Sequence, residues 1–470
     1  MTRIAIVGGG PAGYEAALVA TQLGADVTLV ERDGIGGACV LSDCVPSKTL
    51  IATSDVLTSL SGVGGLGVHL GGLADGDFGP DPRVRGVSVD LAQVNSRVKG
   101  LALAQSMDIT QRLSGEGVDV RVGTARFNDH HCLEVTGLDG EVTTLEADVF
   151  LIAVGAHPRV VPGAEPDGER ILSWRDVYDL EELPEHLVVV GSGVTGAEFA
   201  NAYLALGSEV SLVSSRERVL PGEDGDAAEV LQDVLVRRGM DIVKGRAAGV
   251  VNTGKGVEVT LTDGSVVHGS HALMTVGSIP NTAGLGLEGI GVATNRGFVT
   301  VDRVSRTSVP NIYAAGDCTG VLALASVAAM QGRIAMWHAL GDAVEPLRLS
   351  TVSANVFTDP EIATVGVQQA AVESGAVDAR TVKLPLSTNA RAKMQGLSDG
   401  FVKIFSRPGT GTVLGGVVVA PRASELILPV SMAVQNQITV DQLAHTFSIY
   451  PSLSGSLTEA ARQLIKHEVD

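Results

Sequence analysis

Two cysteines, Cys39 and Cys44, stand five positions apart near the N-terminus. A thiol pair this close can exchange electrons with an external disulfide. In a regular helix, residues five apart have Cα atoms roughly 8 to 9 Å from each other, whereas a disulfide spans about 4.4 to 6.8 Å. A bond between Cys39 and Cys44 therefore requires a distorted helical turn, and a strained bond is easier to reduce. The alternative is that both cysteines are small apolar fillers.

The elements around this pair follow a plan that the chain uses twice. The first copy comprises a strand at 4–7, a glycine turn at 8–13, a helix at 14–23 and a strand at 26–30. The second copy comprises a strand at 187–190, a turn at 191–196, a helix ending at 206 and a strand at 209–213. Each is the βαβ unit that binds dinucleotides in doubly wound sheets.

The first glycine turn has the residues that a pyrophosphate site needs. Gly8 permits the tight turn, Gly10 lets the pyrophosphate approach the backbone, and Gly13 lets helix and strand pack closely. Pro11 and Ala12 open the helix, whose N-terminus faces the phosphates. Glu31 stands 18 positions beyond Gly13, where a carboxylate can bind ribose hydroxyls. The alternative is a glycine turn without a ligand.

The second glycine turn differs from the first at the ribose position. Its members are Gly191, Gly193, Val194, Thr195 and Gly196. Ser214 and Ser215 stand at the end of the second strand, where the first copy has an acid, and Arg216 and Arg218 follow. A carboxylate there would repel a 2′-phosphate, whereas serines with nearby arginines would accept it. This favours NADPH, or use of both NADPH and NADH; the alternative for Arg216 is a solvated surface charge.

Two dinucleotide sites in one chain suggest electron exchange between a nicotinamide and a flavin. A third segment, 307–317, is predicted to be a strand that ends in Gly316 and Asp317, whose carboxylate can reach a ribityl chain.

Two further strands end in glycine turns at Gly155 and Gly277 and mark the passages between domains. We predict an α/β fold with these domain bounds: 1–152 and 281–345 for the first nucleotide domain, 153–280 for the second, and 346–470 for a C-terminal α+β domain.

These motifs together resemble the flavin-dependent pyridine nucleotide-disulfide oxidoreductases. The resemblance rests on both glycine turns, the Cys39–Lys48 segment, the strand 312–317 and the segment 356–363, in that order along nearly the whole chain. Within the family the chain is similar to dihydrolipoamide dehydrogenase-like enzymes and most resembles the actinobacterial branch of NAD(P)H:quinone reductases. The resemblance implies FAD on the first Rossmann-like domain, NADPH or NADH on the second, and a homodimer built by the C-terminal domain.

The resemblance also implies roles for individual residues. Lys48 and Glu198 would form an ion pair beside the flavin, and Asp317 would bind the ribityl chain. Cys44 would be the thiol against the flavin and Cys39 the thiol that attacks an external disulfide. The implied FAD site further includes Gly37, Gly155 and Gly316, and the implied NAD(P) site includes Gly277. We predict no metal site.

Two departures from the family pattern bear on the reaction. Disulfide reductases of this family carry a His-Pro segment near the C-terminus, with a Glu five positions after the His; here those positions are Tyr450 and Gly455. With an ordinary pKa of about 10, a tyrosine is a poor base at neutral pH, and such a loss typically costs about 10²- to 10⁴-fold in rate. The other departure is Asp43, in place of the usual Gly, which should raise the pKa of Cys44.

The sequence therefore favours an FAD-dependent NAD(P)H:quinone oxidoreductase that works in ping-pong order, with Tyr450 donating a hydrogen bond to the quinone or capping its pocket. The first alternative is an NAD(P)H-dependent disulfide reductase that uses Cys39 and Cys44. The second alternative is a non-catalytic flavoprotein within a larger complex; two intact nucleotide motifs argue against it, since a scaffold has no use for NAD(P)H.

Composition excludes other classes of function. The formal net charge of −19 leaves no basic surplus for nucleic acid or for an anionic membrane surface. No window holds 18 consecutive apolar residues, so no membrane span is expected. Because the first strand begins at once and cysteines are few, we expect no signal peptide and a cytoplasmic location.

Overall fold

The computed structural model of the chain describes residues 1–61, 63–68 and 88–465. These residues form two compact units. The first unit comprises 1–49, 95–159 and 277–348; the second comprises 50–94, 160–276 and 349–470. The segment 61–86 is rich in glycine and proline, which predicts a surface excursion, and it lies mostly outside the described residues. The domain bounds predicted from the sequence stay predictions.

A seven-stranded sheet forms the centre of the first unit. Five of its strands are parallel, and the remaining pair continues the edge as an antiparallel meander. In spatial order the strands are Ile312–Ala314, Val149–Ile152, Arg3–Val7, Asp26–Glu31, Asp119–Asp129, Cys132–Gly137 and Val142–Glu146. The parallel strands are apolar on both faces because each face is covered by its own hydrophobic cluster.

Helices cover one face of this sheet. Pro11–Gln22 packs on Ala325–Ala339, and small residues allow the close approach, since a Cβ at Gly332 would collide with the carbonyl of Ala12. Two short antiparallel pairs complete the unit: Ala156–Pro158 with Ser278–Pro280, and Thr294–Asn295 with Phe298–Val299. The apolar spacing from Leu91 to Leu101 predicts an amphipathic helix over about 90–113, and the helix runs from Leu91 to Gly115.

A five-stranded parallel sheet carries the second glycine turn in the second unit. Its order is Asp241–Lys244, Glu209–Ser214, His186–Val190, His271–Met274 and Ile171–Ser173. The helices Val194–Leu206 and Gly225–Arg237 follow two of these strands. A three-stranded antiparallel sheet lies beside it, formed by Ala247–Asn252, Val257–Leu261 and Val266–Gly269.

The C-terminal part of the second unit is an antiparallel sheet with helices. The strand order is Ser353–Val356, Glu361–Gly366, Val413–Ala420, Phe401–Ser406 and Arg380–Pro385. The remaining helices are Gln369–Glu373, Ala390–Met394, Ala423–Leu426, Leu428–Gln435, Val440–Ala444 and Gly455–Leu464.

One helix prediction was wrong in this region. The sequence indicated a continuous helix over 424–435, but the helix ends at Leu426 and a new one begins at Leu428. Pro429 explains the break, because it has no N–H to donate to the carbonyl of Glu425; Ile427 itself keeps helical dihedrals, φ −73° and ψ −23°.

No helix among the described residues is both long enough and apolar enough to span a bilayer.

Candidate active site

The first glycine turn has the backbone geometry of a phosphate-binding loop. Gly8 has φ +105°, and a Cβ there would collide with the carbonyl of Ala153. A Cβ on Gly13 would collide with the carbonyl of Gly8, so helix and strand approach as only glycine permits. In contrast, a Cβ on Gly10 would meet nothing within 4 Å, which leaves its side of the turn open. The open side faces the N-terminus of the helix that begins at Pro11, where anions are stabilised.

Glu31 closes the far end of this turn. One carboxylate oxygen accepts from the N–H of Gly9 at 2.6 Å, and the other accepts from Asp33 at 2.7 Å and Gly34 at 3.2 Å. These backbone donors fix the carboxylate at the strand end, where it can still accept from ribose hydroxyls. Gly37, with φ +58°, packs against the turn, and a Cβ on it would lie 2.9 Å from the Cα of Gly10.

The strand Ile312–Ala314 leads to a half-buried acid, Asp317, in the same unit. Gly316 has φ +82° and donates its N–H to the side chain of Gln331 at 2.9 Å. Asp317 follows, and burial, then the charge of Asp43, raises the pKa of its carboxyl group. A carboxyl group in this setting suits a hydrogen bond to a ligand hydroxyl, so the residues present fit the ribityl role that the family resemblance assigns.

The two cysteines lie on separate helical segments. Cys39 belongs to the short helix Gly37–Leu41, and Cys44 begins the helix Cys44–Ser61. The interruption at Ser42 and Asp43 is the distortion that the five-residue spacing required, and the two thiols lie close enough to change each other's pKa. Both cysteines are free thiols in this structure.

The hydrogen bond between the thiols makes them unequal. It lowers the pKa of Cys39 and raises the pKa of Cys44, and burial with the charge of Asp43 raises that of Cys44 further. The first proton leaves from Cys39 because the resulting thiolate accepts from the Cys44 thiol. Asp43 thus acts in the predicted direction, behind the larger effects of the shared hydrogen bond and of burial. Lys48 lies one turn after Cys44 in the helix Cys44–Ser61, and its positive charge lowers the pKa of both thiols.

The second glycine turn reproduces the first. Gly191 has φ +115°, and a Cβ there would lie 2.5 Å from the carbonyl oxygen of Thr275. A Cβ on Gly196 would collide with the carbonyl of Gly191, whereas one on Gly193 would meet nothing within 4 Å. The helix Val194–Leu206 starts there, with Val194 exposed and Thr195 half-buried. Gly277, which the resemblance assigned to this site, belongs to the first unit.

The ribose end of the second turn is closed by serines. The Ser214 hydroxyl is buried, lies 2.7 Å from that of Ser192, and accepts from the N–H of Arg216 at 3.2 Å. These bonds hold the strand end, while the Arg216 side chain is exposed. The guanidinium of Arg218 instead lies against Gly225, 2.9 Å from where a Cβ would stand. Of the two arginines, Arg216 is therefore the candidate for a 2′-phosphate.

Glu198 is a buried acid in the helix that follows the second turn. It is 4% exposed, and one carboxylate oxygen accepts from the backbone N–H of Phe357 at 2.9 Å. The sequence pointed to Glu198 through the family resemblance. The sequence held no signal for the contact with Phe357, because that donor belongs to the backbone and lies 159 positions away.

The C-terminal position that would hold a base is exposed. Tyr450 is 84% exposed, beside the exposed Phe447 and Ile449, and Gly455 is the first residue of the helix Gly455–Leu464. His445 is also exposed, and its ring lies 2.8 Å from the carbonyl of Asp441 in the preceding turn.

Comparison with known proteins identifies the family. The model of the pyridine nucleotide-disulphide oxidoreductases matches residues 2–332, and that of the family's dimerisation domain matches residues 352–461. The chain belongs to the pyridine nucleotide-disulfide oxidoreductases.

Among individual proteins, the chain is 57% identical to the NAD(P)H dehydrogenase (quinone) of Mycobacterium tuberculosis, over all of this chain and 95% of that protein. The crystal structure of LpdA from M. tuberculosis matches with a TM-score of 0.93 and 57% identity, over 99% of this chain and 100% of that one. A more distant relative is the dihydrolipoyl dehydrogenase of Chlorobaculum tepidum, 33% identical over 97% of this chain and 96% of that protein.

These matches confirm the predicted family, the α/β fold class and the assignment as an oxidoreductase. FAD and NAD(P)H, the cofactors predicted from the two glycine turns, are those of this family. The match to the dimerisation domain supports the predicted homodimer.

Proposed function

We propose that the chain is an FAD-dependent NAD(P)H:quinone oxidoreductase. One hydride from NAD(P)H and one proton from solvent convert a quinone to its hydroquinone and leave NAD(P)⁺. Bound FAD supplies the relay that lets donor and acceptor react in turn. The 57% identity to an NAD(P)H dehydrogenase (quinone) along the whole chain supports this assignment.

The observation that carries the choice of acceptor is the exposed Tyr450 with Gly455 at the start of the next helix. Thiol exchange with a disulfide needs a group that gains and loses a proton near neutral pH, and tyrosine does so only near pH 10. A quinone accepts electrons without thiol attack, so it does not need that base. Tyr450 can donate a hydrogen bond to a quinone oxygen.

In the proposed site the first glycine turn, Glu31 and Asp317 hold FAD, while Lys48 places a positive charge beside it. The second turn, Ser214 and Arg216 hold the nicotinamide cofactor, with Glu198 next to the reacting ring. A homodimer and a cytoplasmic location complete the proposal.

A stopped-flow experiment tests the acceptor. Enzyme reduced anaerobically with one equivalent of NADPH is mixed with a water-soluble benzoquinone, and the return of flavin absorbance is followed. We expect reoxidation by the quinone to be far faster than in buffer alone. Equal rates with quinone and with buffer would refute the assignment.

A disulfide reductase activity is the second candidate, and the hydrogen-bonded pair of Cys39 and Cys44 supports it. The same reduced enzyme is mixed with oxidised lipoamide in place of the quinone. If the thiols serve as the exchange pair, lipoamide reoxidises the enzyme at a rate that Cys44→Ser abolishes. A lipoamide rate that Cys44→Ser leaves unchanged excludes this candidate.

A further inference from the structure

The helix Gly225–Arg237 is attached at its C-terminal end to a turn of the C-terminal antiparallel sheet. This turn joins the strands Ser353–Val356 and Glu361–Gly366. The guanidinium of Arg238 donates to the carbonyl of Asp359 at 3.0 Å and to the Asp359 carboxylate at 2.5 Å. Both side chains are only about a quarter exposed, at 24% and 28%. The two bonds hold Asp359 by its main chain and its side chain at once, one from each terminal nitrogen of the guanidinium.

The same turn holds Glu198. Phe357, two residues before Asp359, donates the N–H that the buried Glu198 carboxylate accepts. A carboxylate removed from water needs such donors, and its position depends on theirs. The turn between these two contacts is braced by the Thr358 hydroxyl, which donates to the carbonyl of Pro360 at 2.8 Å. A displacement at Asp359 is therefore passed on to Glu198.

Charge explains why Arg238 is needed at this point. Burial, then the charges of Asp359 and Glu361, raises the pKa of Asp55, whereas the charge of Arg238 lowers it. The Glu361 carboxylate also accepts from the N–H of Ser424 at 2.8 Å. Without the guanidinium, the repulsion between Asp359 and Asp55 would be uncompensated. The turn would then move away from the position that aligns the Phe357 N–H.

We propose that Arg238 and Asp359 are positioning residues for hydride transfer from NAD(P)H, acting through the Phe357 N–H on Glu198. The inference rests on the proposed place of Glu198 beside the reacting nicotinamide. Because a misplacement of about 1 Å can cost up to about 10²-fold in rate, the loss of this clamp should slow hydride transfer by about tenfold.

The first test compares Arg238→Met with Arg237→Met. Arg237 is the neighbouring residue, and its ion pair with Asp399, at 2.6 Å, is more exposed and does not include the 357–360 turn. The FAD-loaded variants are mixed with saturating NADPH, and the rate of flavin bleaching is measured. We expect Arg238→Met to be about tenfold slower and Arg237→Met to be within about twofold of the parent, since exposed pairs contribute little. Equal rates for both variants would overturn the inference.

A double-mutant cycle separates positioning from a general structural role. If Arg238 acts through Glu198, Arg238→Met should cause no further loss of the bleaching rate in a Glu198→Gln background, whereas independent effects multiply. Multiplied losses would overturn the inference. Should Arg238→Met fail to retain FAD, Asp359→Asn replaces it in the same cycle and is judged by the same two outcomes.

The cycle also distinguishes the two proposals. A Glu198→Gln variant that is bleached at the parent rate refutes the role of Glu198 and, with it, this inference. A slow Glu198→Gln variant beside an unaffected Arg238→Met variant refutes this inference alone.

Discussion

Apart from the two cysteines themselves, Asp43 is the residue with the largest effect on the pKa of each thiol. It stands immediately before Cys44, at the start of a helix whose N-terminus would otherwise favour a thiolate. Its charge raises the pKa of Cys39, Cys44 and Asp317 alike. One carboxylate therefore disfavours further negative charge at three groups of the candidate site.

Removing that charge should make the thiols more reactive. We expect Asp43→Asn, which keeps the shape of the side chain, to lower the pKa of both thiols. One pKa unit corresponds to about a tenfold gain in thiolate at a pH below the pKa. The check is the pH dependence of alkylation by iodoacetamide, with Ser42→Ala as the neutral neighbouring control. A profile for Asp43→Asn that matches the control would contradict the expectation.

Arg216 offers a second prediction at the scale of one side chain. Arg216→Met should raise the KM for NADPH by about tenfold, since a hydrogen bond to a charged group contributes about 1.5 to 3 kcal/mol. The KM for NADH should not change, because NADH has no 2′-phosphate. Arg218→Met is the matched control, as that guanidinium lies against Gly225. A similar rise for both cofactors would rule out phosphate recognition by Arg216.

At the scale of elements, both ends of the helix Gly225–Arg237 form ion pairs with the C-terminal antiparallel sheet and its turns. Asp224 accepts from the N–H of Ala227 at the start of the helix and holds the ammonium of Lys403 at 2.8 Å, with both side chains 1% exposed. Asp226 binds the same lysine at 2.6 Å and Lys383 at 2.9 Å. Acids at the N-terminus and arginines at the C-terminus match the helix dipole, so both attachments also stabilise the helix.

The two lysines of this cluster should differ in their effect on stability. Lys403→Met leaves a buried, uncompensated Asp224 and should lower the free energy of unfolding by about 3 to 5 kcal/mol. Lys383→Met removes a lysine whose side chain is 46% exposed and should cost no more than about 1 kcal/mol. Urea unfolding of the two variants measures the difference. Comparable losses would show that burial does not set the strength of these pairs.

Prediction from the sequence succeeded where structure is determined locally. The two glycine turns and their flanking strands were located because a tight turn, an open approach and a close helix contact each require glycine at a fixed offset. The apolar residues of 424–435 suit one helix, whereas Pro429 interrupts the helical hydrogen bonds and leaves a break at Ile427. The contact from Phe357 to Glu198 could not be predicted, since it joins a main-chain donor to an acid far along the chain.

At the scale of the whole molecule, the C-terminal part of the second unit carries exposed apolar side chains. Phe447 is fully exposed and Ile449 is 80% exposed. Clustered apolar residues in water mark an interaction surface, and residues 352–461 match a dimerisation domain. We therefore expect this segment to be covered by a second copy of the chain.

Replacing both residues tests that expectation. The double variant Phe447→Ser, Ile449→Ser should shift the protein from dimer toward monomer in analytical ultracentrifugation, since it removes apolar area that a partner would bury. Leu138→Ser is the matched control, because Leu138 is 81% exposed but lies in the first unit. A dimer that withstands the double replacement would place the interface elsewhere.

The two glycine turns have a consequence for anyone who wishes to engineer this enzyme. A methyl group at Gly13 or Gly196 would overlap a main-chain oxygen, so neither position tolerates any change of residue. The strand ends face no such restriction, since Glu31 and Ser214 occupy equivalent places with different side chains. A redesign of coenzyme choice can therefore be confined to the ribose end of a site while its phosphate loop is left as it is.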